Sequence, residues 1–113
     1  MCSDGCRHAK VFEKFFSKKA PHVRIIYPDE KHQTMLIRGI CNVKNSHRFD
    51  ERNSPENPVN IFKLVEHHLR SSGAKRVIVG CTDINVVFSS DVNSLFVLKD
   101  LILQLYKGNQ KCL

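Results

Sequence analysis

Hydrophobic residues recur at helical spacing in four parts of the chain. Apolar side chains three or four positions apart form one stripe on a helix, and that stripe can pack against a core. We therefore predict helices over residues 9–16, 29–43 and 58–72, and another that starts near residue 94. Asn57-Pro58 suits a helix start, because asparagine can cap and proline is tolerated at the first position. Gly73 suits the left-handed residue that ends the same helix.

Two β-branched runs, over residues 23–27 and 76–81, predict buried strands, and residues 86–88 are a weaker candidate for a third. Strands separated by helices imply parallel pairing with helices on both faces. We predict an α/β fold with a small parallel sheet, forming a single lobe over residues 1–107 with a loose tail at 108–113. Helix-like sequence begins almost at Met1, which suggests that the first strand of the lobe is truncated.

The composition fits one globular domain with a modest core, since the chain has 113 residues, of which 42% are hydrophobic and 26% charged. Lysine and arginine number 18 against 11 acidic residues, a net charge of +7. This charge favours an anionic partner, either nucleic acid, a membrane surface or an acidic small molecule. No run approaches the roughly 20 apolar residues of a membrane helix, and no signal peptide is evident. Five irregularly spaced cysteines suit reduced thiols in the cytoplasm.

Cys81 is the main candidate for chemistry, because it follows a predicted strand directly. In open parallel sheets, ligands bind beyond the carboxyl ends of the strands, near helix N-termini. Gly80 would let the backbone approach a ligand, and Thr82 and Asp83 add a hydroxyl and a carboxylate. A thiol in such a place can act as an acid or base. The alternative is a buried cysteine that serves as a small hydrophobic residue.

Residues 77–84, Val-Ile-Val-Gly-Cys-Thr-Asp-Ile, resemble the strand and Gly-Cys-Thr-Glu-Ile signature of the aspartate/glutamate racemase superfamily, around its second catalytic cysteine. Asp83 stands where that family often has glutamate, and Asn85 where it often has proline. Three other segments resemble the family in the same order: residues 2–6 with the helix that follows, residues 27–37 with Gln33, and residues 40–44. The resemblance covers nearly the whole chain, and it corresponds to the C-terminal lobe of the enzyme.

The resemblance implies an amino-acid racemase that transfers protons at Cα with two cysteines and uses no cofactor or metal. Cys81 would be one of the two acid–base groups, and the other would belong to a separate or missing N-terminal lobe. Thr82 and Ser3 would hold the substrate, and Lys44 would bind a carboxylate of a small acidic amino acid. Cys6 occupies a substrate-binding position where the family has threonine, and a thiol is the poorer hydrogen-bonding group. The isolated chain is expected to be inactive, as a fragment or a degenerate homologue, and its assembly into a homo-oligomer is left open.

The main alternative is a non-catalytic binding or interaction module, with nucleic acid as the partner of its basic surface. Against nucleic acid, the phenylalanines lie at core spacing in helices and no base-stacking motif is present. A metal corner of Cys2, Cys6 and His8 lacks the usual ligand spacing and a fourth ligand. His67 and His68 are adjacent on a helix and point about 100° apart, which favours a surface role. The remaining histidines, His22, His32 and His47, have no metal-binding pattern around them.

Overall fold

The computed structural model describes residues 1–93, and this part of the chain is mainly helical. The predicted final helix and the tail at 108–113 lie outside the described residues. Within them, five α-helices, one 3-10 helix and two very short strands follow one another. In chain order these are α1 (Asp4–His8), α2 (Val11–Lys19), α3 (Glu30–Val43), the 3-10 helix (Ser46–Phe49), α4 (Pro58–Ser71), β1 (Ile78–Val79), α5 (Thr82–Val87) and β2 (Val92–Asn93).

Helices α3 and α4 pack against each other and form the main core. Gly39 on α3 allows the close approach, since a Cβ atom there would lie 2.8 Å from Cε1 of Phe62 on α4. Apolar side chains of α3, α4, α5 and the strand segment fill the space between these elements. The buried members of this core are Leu36, Val43, Phe62, Val65, Leu69, Val77, Val79 and Ile84.

The predicted boundaries of the two long helices are confirmed, because short-range chemistry fixes them. Asp29 caps α3, and its Oδ1 accepts a hydrogen bond from the backbone nitrogen of His32 at 2.8 Å. Asn57 caps α4 by accepting from the backbone nitrogen of Val59 at 2.9 Å. Gly73 has a φ of 105°, the left-handed conformation expected just after a helix.

The predicted α/β fold with a parallel sheet and helices on both faces is wrong for this part of the chain. Its strand pairing is limited to β1 and β2, which are parallel and two residues long each. Residues 23–27 are extended but belong to no strand, and residues 86–87 are the end of helix α5 rather than a third strand. A strand forms only when a neighbour receives its backbone hydrogen bonds, and local β-branched sequence cannot supply that neighbour.

Met1 lies beside β1, on the edge opposite β2. The backbone nitrogen of Met1 donates to the carbonyl of Ile78, and the backbone nitrogen of Gly80 donates to the carbonyl of Met1, both at 2.7 Å. These two bonds have the pattern of a parallel ladder in which Met1 lies opposite Val79. The start of the chain is thereby fixed next to the exit of β1. A second small core of Cys2, Phe12 and Phe15 packs below this junction.

Candidate functional site

Cys81 lies where β1 ends and α5 begins. It is the N-cap residue of α5, with extended backbone angles, and its side chain makes no capping hydrogen bond. The side chain is half-buried and contacts the edge of the main core. Thr82 follows in the first turn of α5 and is exposed. The thiol of Cys81 and the hydroxyl of Thr82 therefore belong to consecutive residues at the start of α5, and both side chains are at least partly accessible.

Lys44, at the C-terminal end of α3, lies close to this junction. Its Nζ is 3.1 Å from Oδ2 of Asp83, and the two side chains are 64% and 35% exposed. The hydrogen bond to Asp83, and then the charge of that carboxylate, raise the pKa of Lys44, and the charge of a Cys81 thiolate acts in the same direction. The structure therefore places Lys44 within electrostatic reach of Cys81. It also gives Lys44 a carboxylate partner from its own chain.

The N-terminal turn carries Ser3 and Cys6 and is held from two sides. Ser3 caps α1, and its Oγ accepts from the backbone nitrogen of Cys6 at 3.3 Å, which leaves the hydroxyl hydrogen free to be donated. Gln33 on α3 donates from Nε2 to the carbonyl of Cys2 at 3.1 Å and to Oδ1 of Asp4 at 2.9 Å. Together with the ladder bonds of Met1, these contacts fix the turn beside Gly80 and Cys81.

Cys6, predicted as a substrate-binding residue, is the third residue of α1. Its half-buried side chain packs against the small core that Cys2, Phe12 and Phe15 form. Cys2 is buried within that core, and burial raises the pKa of its thiol to about 11. A thiolate at Cys81 is among the charges that also raise the pKa of Cys2, so the two thiols are near each other. Of these two neighbours, Cys81 is the accessible one.

The side-chain amide of Gln33 forms hydrogen bonds through its nitrogen but not, among the described residues, through its oxygen. Its Nε2 makes both of the bonds that hold the N-terminal turn, yet its Oε1 is buried with no hydrogen-bond partner among the described residues. A buried acceptor without a donor costs about 1–3 kcal/mol. Gln33 is only 7% exposed, so this free-energy cost applies to a side chain that its packing on α3 already holds in place.

A cluster of Asp29, His32 and His68 joins the start of α3 to α4. His32 Nδ1 lies 2.6 Å from Asp29 Oδ1, and the backbone nitrogen of Asp29 donates to His68 Nε2 at 3.2 Å. The two imidazole rings stack with their centroids 3.7 Å apart and an interplanar angle of 1°. Sequence spacing does not reveal this cluster, because 36 positions separate the two histidines. The sequence indicated no group of residues around His32, and the structure corrects this by placing Asp29 and His68 beside it.

The geometry of this cluster fits a hydrogen-bonded group better than a metal centre. One ligand atom from each residue lies within 4.8 Å of the others. The lone pairs of an imidazole lie in the plane of its ring, so two parallel stacked rings cannot both direct a nitrogen at one ion. Asp29 also uses Oδ1 to cap α3. In the described part of the chain, Cys2, Cys6 and His8 do not form a metal-binding group either.

Comparison with known proteins adds no relative to this description. No protein-family model, curated protein or solved structure matches the chain. In residues 1–93, no helix has both the length and the apolar character needed to cross a membrane. The chemical argument therefore depends on the thiol, hydroxyl and ammonium groups at the exit of β1.

Proposed function

We propose that this chain provides one half of the active site of a cofactor-independent amino-acid racemase of the aspartate/glutamate type. The observation that supports it is the position of the Cys81 thiol. It is half-buried at the N-cap of α5, one residue before the exposed Thr82, and it lies within electrostatic reach of Lys44. A general acid–base group needs access to the substrate and nearby donors that hold it, and this junction supplies both.

In the proposed reaction, the Cys81 thiolate removes the α-proton of the amino acid and becomes a neutral thiol. The electron pair of the Cα–H bond stays on the substrate as a carbanion, delocalised into its carboxylate. Hydrogen bonds from Thr82 and Ser3 stabilise this negative charge. Inversion requires a second acid on the opposite face of Cα, which a separate lobe would supply. This chain by itself can only remove and return a proton on one face.

Lys44 gives the site its preference for a dicarboxylic substrate. Its ammonium group already pairs with Asp83, at 3.1 Å, on an exposed part of the surface. A substrate carboxylate would take the place of Asp83, which exchanges one exposed ion pair for another and costs little. Asp83 therefore competes with the substrate for Lys44, and neutral amino acids gain nothing from the exchange.

The first test is hydrogen exchange at Cα. In D₂O, any incorporation of deuterium into aspartate should be lost in Cys81→Ser and retained in Cys41→Ser, which removes an exposed thiol on α3. Proton NMR of the α-position measures this. Exchange that survives Cys81→Ser would contradict the assignment.

A second test needs no turnover and applies to the half-site alone. Aspartate or glutamate should slow the alkylation of Cys81 by iodoacetamide, while leaving that of Cys41 unchanged. Peptide mapping by mass spectrometry gives both rates in one sample. If neither amino acid protects Cys81 at millimolar concentration, the proposed substrate site does not exist.

A further inference from the structure

A cavity lies apart from the junction at Cys81. Its volume is about 830 Å³, within the range of about 300–1,000 Å³ that is usual for small-molecule sites. Residues 22–27 and 72–78 line it, together with side chains of α2, Leu69 of α4 and the first two residues of the chain. The residues of the proposed racemase site do not line it, so the cavity is a separate feature of the fold.

Hydrophobic side chains make up most of the cavity lining. Several of them are buried members of the two cores, among them Phe12, Phe15, Leu69 and Val77. Others are half-buried, among them Phe16, Ile25, Ile26 and Ile78. An apolar ligand group that covers the accessible part of these side chains removes that area from water, which favours binding.

The lining also contains basic side chains but, among the described residues, no carboxylate. The basic residues are all exposed, and they are His22, Arg24, Lys75 and Arg76. Within residues 1–93, none of these four side chains forms an ion pair. The nearby Asp91 is bound by the backbone nitrogen of Val77 and by Arg70 instead. The basic groups of the lining are therefore available to an anion from solution.

Exposure separates these two kinds of lining residue. The basic side chains lie where the cavity meets solvent, whereas most of the apolar ones are buried or half-buried. A ligand with an apolar body and one anionic end complements both at once, because its charged end can stay in water beside the basic groups. A neutral hydrocarbon would gain nothing from the cations, and a small polar anion would leave the apolar surface uncovered.

We propose that this cavity binds a medium-chain fatty acid. The hydrocarbon chain lies against the apolar lining, and the carboxylate pairs with the exposed basic side chains. The apolar part supplies most of the affinity, since exposed ion pairs contribute little each, and the charge selects among ligands of equal chain length. This inference concerns a different part of the molecule from Cys81 and is independent of the chemistry proposed there.

The probe is decanoate, and isothermal titration calorimetry measures its binding to the full chain. Decylammonium is the matched ligand, because it has the same chain length and the opposite charge. We expect saturable binding of decanoate at one site and at least about fivefold weaker binding of decylammonium. Octanoate should bind about tenfold more weakly than decanoate, since each CH₂ group that is buried raises the affinity about fourfold.

A charge reversal tests the role of the basic side chains. The double change Lys75→Glu and Arg76→Glu should weaken decanoate binding at least about fivefold and strengthen that of decylammonium. The control is Lys18→Glu with Lys19→Glu, which changes the net charge equally at exposed positions outside the lining. All four positions are exposed, so each variant is expected to fold, and circular dichroism verifies this.

A second pair of variants tests the apolar part of the lining. Val23 lines the cavity and is 39% exposed, whereas Val86 is 59% exposed and lies outside it. Val23→Ser should weaken decanoate binding about two- to fourfold, because it removes apolar contact with the chain. Val86→Ser makes the same chemical change and should leave the binding unaltered.

Three results would each overturn the proposal. The first is the absence of saturable decanoate binding below about 1 mM, and the second is equal binding of decanoate and decylammonium. The third is a charge reversal at residues 75 and 76 that has no more effect than the one at residues 18 and 19. Sedimentation of the chain alone covers the other occupant, since a dimer that decanoate fails to dissociate would mean that a second copy fills the cavity.

Discussion

At the scale of single residues, two neighbouring thiols differ in how deeply they are buried. Cys2 and Cys81 lie within electrostatic reach of each other, yet one is buried and the other half-buried. Sequence analysis identified Cys81 as the main chemical candidate from its place after a strand, and it considered Cys2 only as part of a turn or of a metal corner. It could not rank their accessibility, because burial of Cys2 depends on Phe12 and Phe15, which pack around it only in the folded chain.

We expect iodoacetamide at pH 8 to alkylate Cys81 much faster than Cys2. Since burial raises the pKa of Cys2 to about 11, only about 0.1% of that thiol is ionised at pH 8, and the thiolate is the reactive form. Peptide mapping over a time course measures both rates. In urea the difference should disappear, which is the internal control. Equal rates in the native protein would show that Cys2 is not buried.

Gly80 is needed for close packing rather than for an unusual backbone angle. A Cβ atom there would lie 2.4 Å from Cζ of Phe12 and 3.2 Å from the carbonyl of Met1. Gly80→Ala should therefore lower the free energy of unfolding by about 1–3 kcal/mol. Gly5→Ala is the matched control, since its new Cβ would meet nothing closer than Ser3 Oγ at 3.9 Å. Urea denaturation compares the two. Equal stability of both variants would contradict the packing described.

At the scale of elements, a helix or strand is predicted correctly when the residues that stabilise it lie close to it along the chain. Asp29 and Asn57 cap helices through residues two or three positions ahead, and those boundaries were predicted correctly. Residues 23–27 have the composition of a strand, but strand formation needs a backbone partner that the described chain does not provide. Short apolar runs such as residues 86–88 are compatible with helix or strand. Here residues 86 and 87 are the last two residues of helix α5, which begins at Thr82.

Asn57→Ala should destabilise the protein by about 1–2 kcal/mol, because it removes the cap of α4. Asn57 also donates from Nδ2 to the carbonyl of Asp50 at 2.8 Å, which ties the preceding loop to the helix. Asn57→Asp keeps the capping acceptor and loses only this donor, so its effect should be smaller. Chemical denaturation monitored by circular dichroism separates the two contributions. An aspartate variant as unstable as the alanine variant would assign the whole effect to the loop.

The cap of α3 should make the free energy of unfolding depend on pH in the acidic range. Hydrogen bonds from the backbone and then the side chain of His32 lower the pKa of Asp29. A carboxyl with a depressed folded pKa stabilises the protein above its unfolded pKa, near 3.9, and loses that contribution as the pH falls through the folded value. The stability difference between wild type and Asp29→Asn should therefore shrink between pH 6 and pH 3. Thermal unfolding at several pH values measures it, and a constant difference would refute the cap.

At the scale of the whole molecule, the candidate site is assembled from distant parts of the chain. Ser3, Lys44 and Cys81 come from three separate parts of the chain, and the expectation that they share one site comes only from a family resemblance. The backbone bonds of Met1 with Ile78 and Gly80 hold the start of the chain, two residues before Ser3, against the end of β1. The stacked pair of His32 and His68 could not be predicted from the sequence, because no local pattern connects two residues on different helices.

The net charge of +7 allows a direct comparison of the proposed function with nucleic-acid binding. Binding to DNA phosphates weakens steeply with salt because counterions are released. We expect random-sequence DNA to bind only at low ionic strength and to be lost near 0.15 M salt, where protection of Cys81 by aspartate persists. Anisotropy of labelled DNA across a salt series measures this. Tight DNA binding at 0.15 M salt, without protection of Cys81, would favour the nucleic-acid alternative.

A cavity of about 830 Å³, lined in part by residues 22–27 and 72–78, has a thermodynamic consequence for the chain as a whole. A ligand that binds only the native state adds RT ln(1 + [L]/Kd) to the free energy of unfolding, which reaches about 2.7 kcal/mol at a hundredfold excess over Kd. The melting temperature of this protein would then be a property of the solution as much as of the sequence.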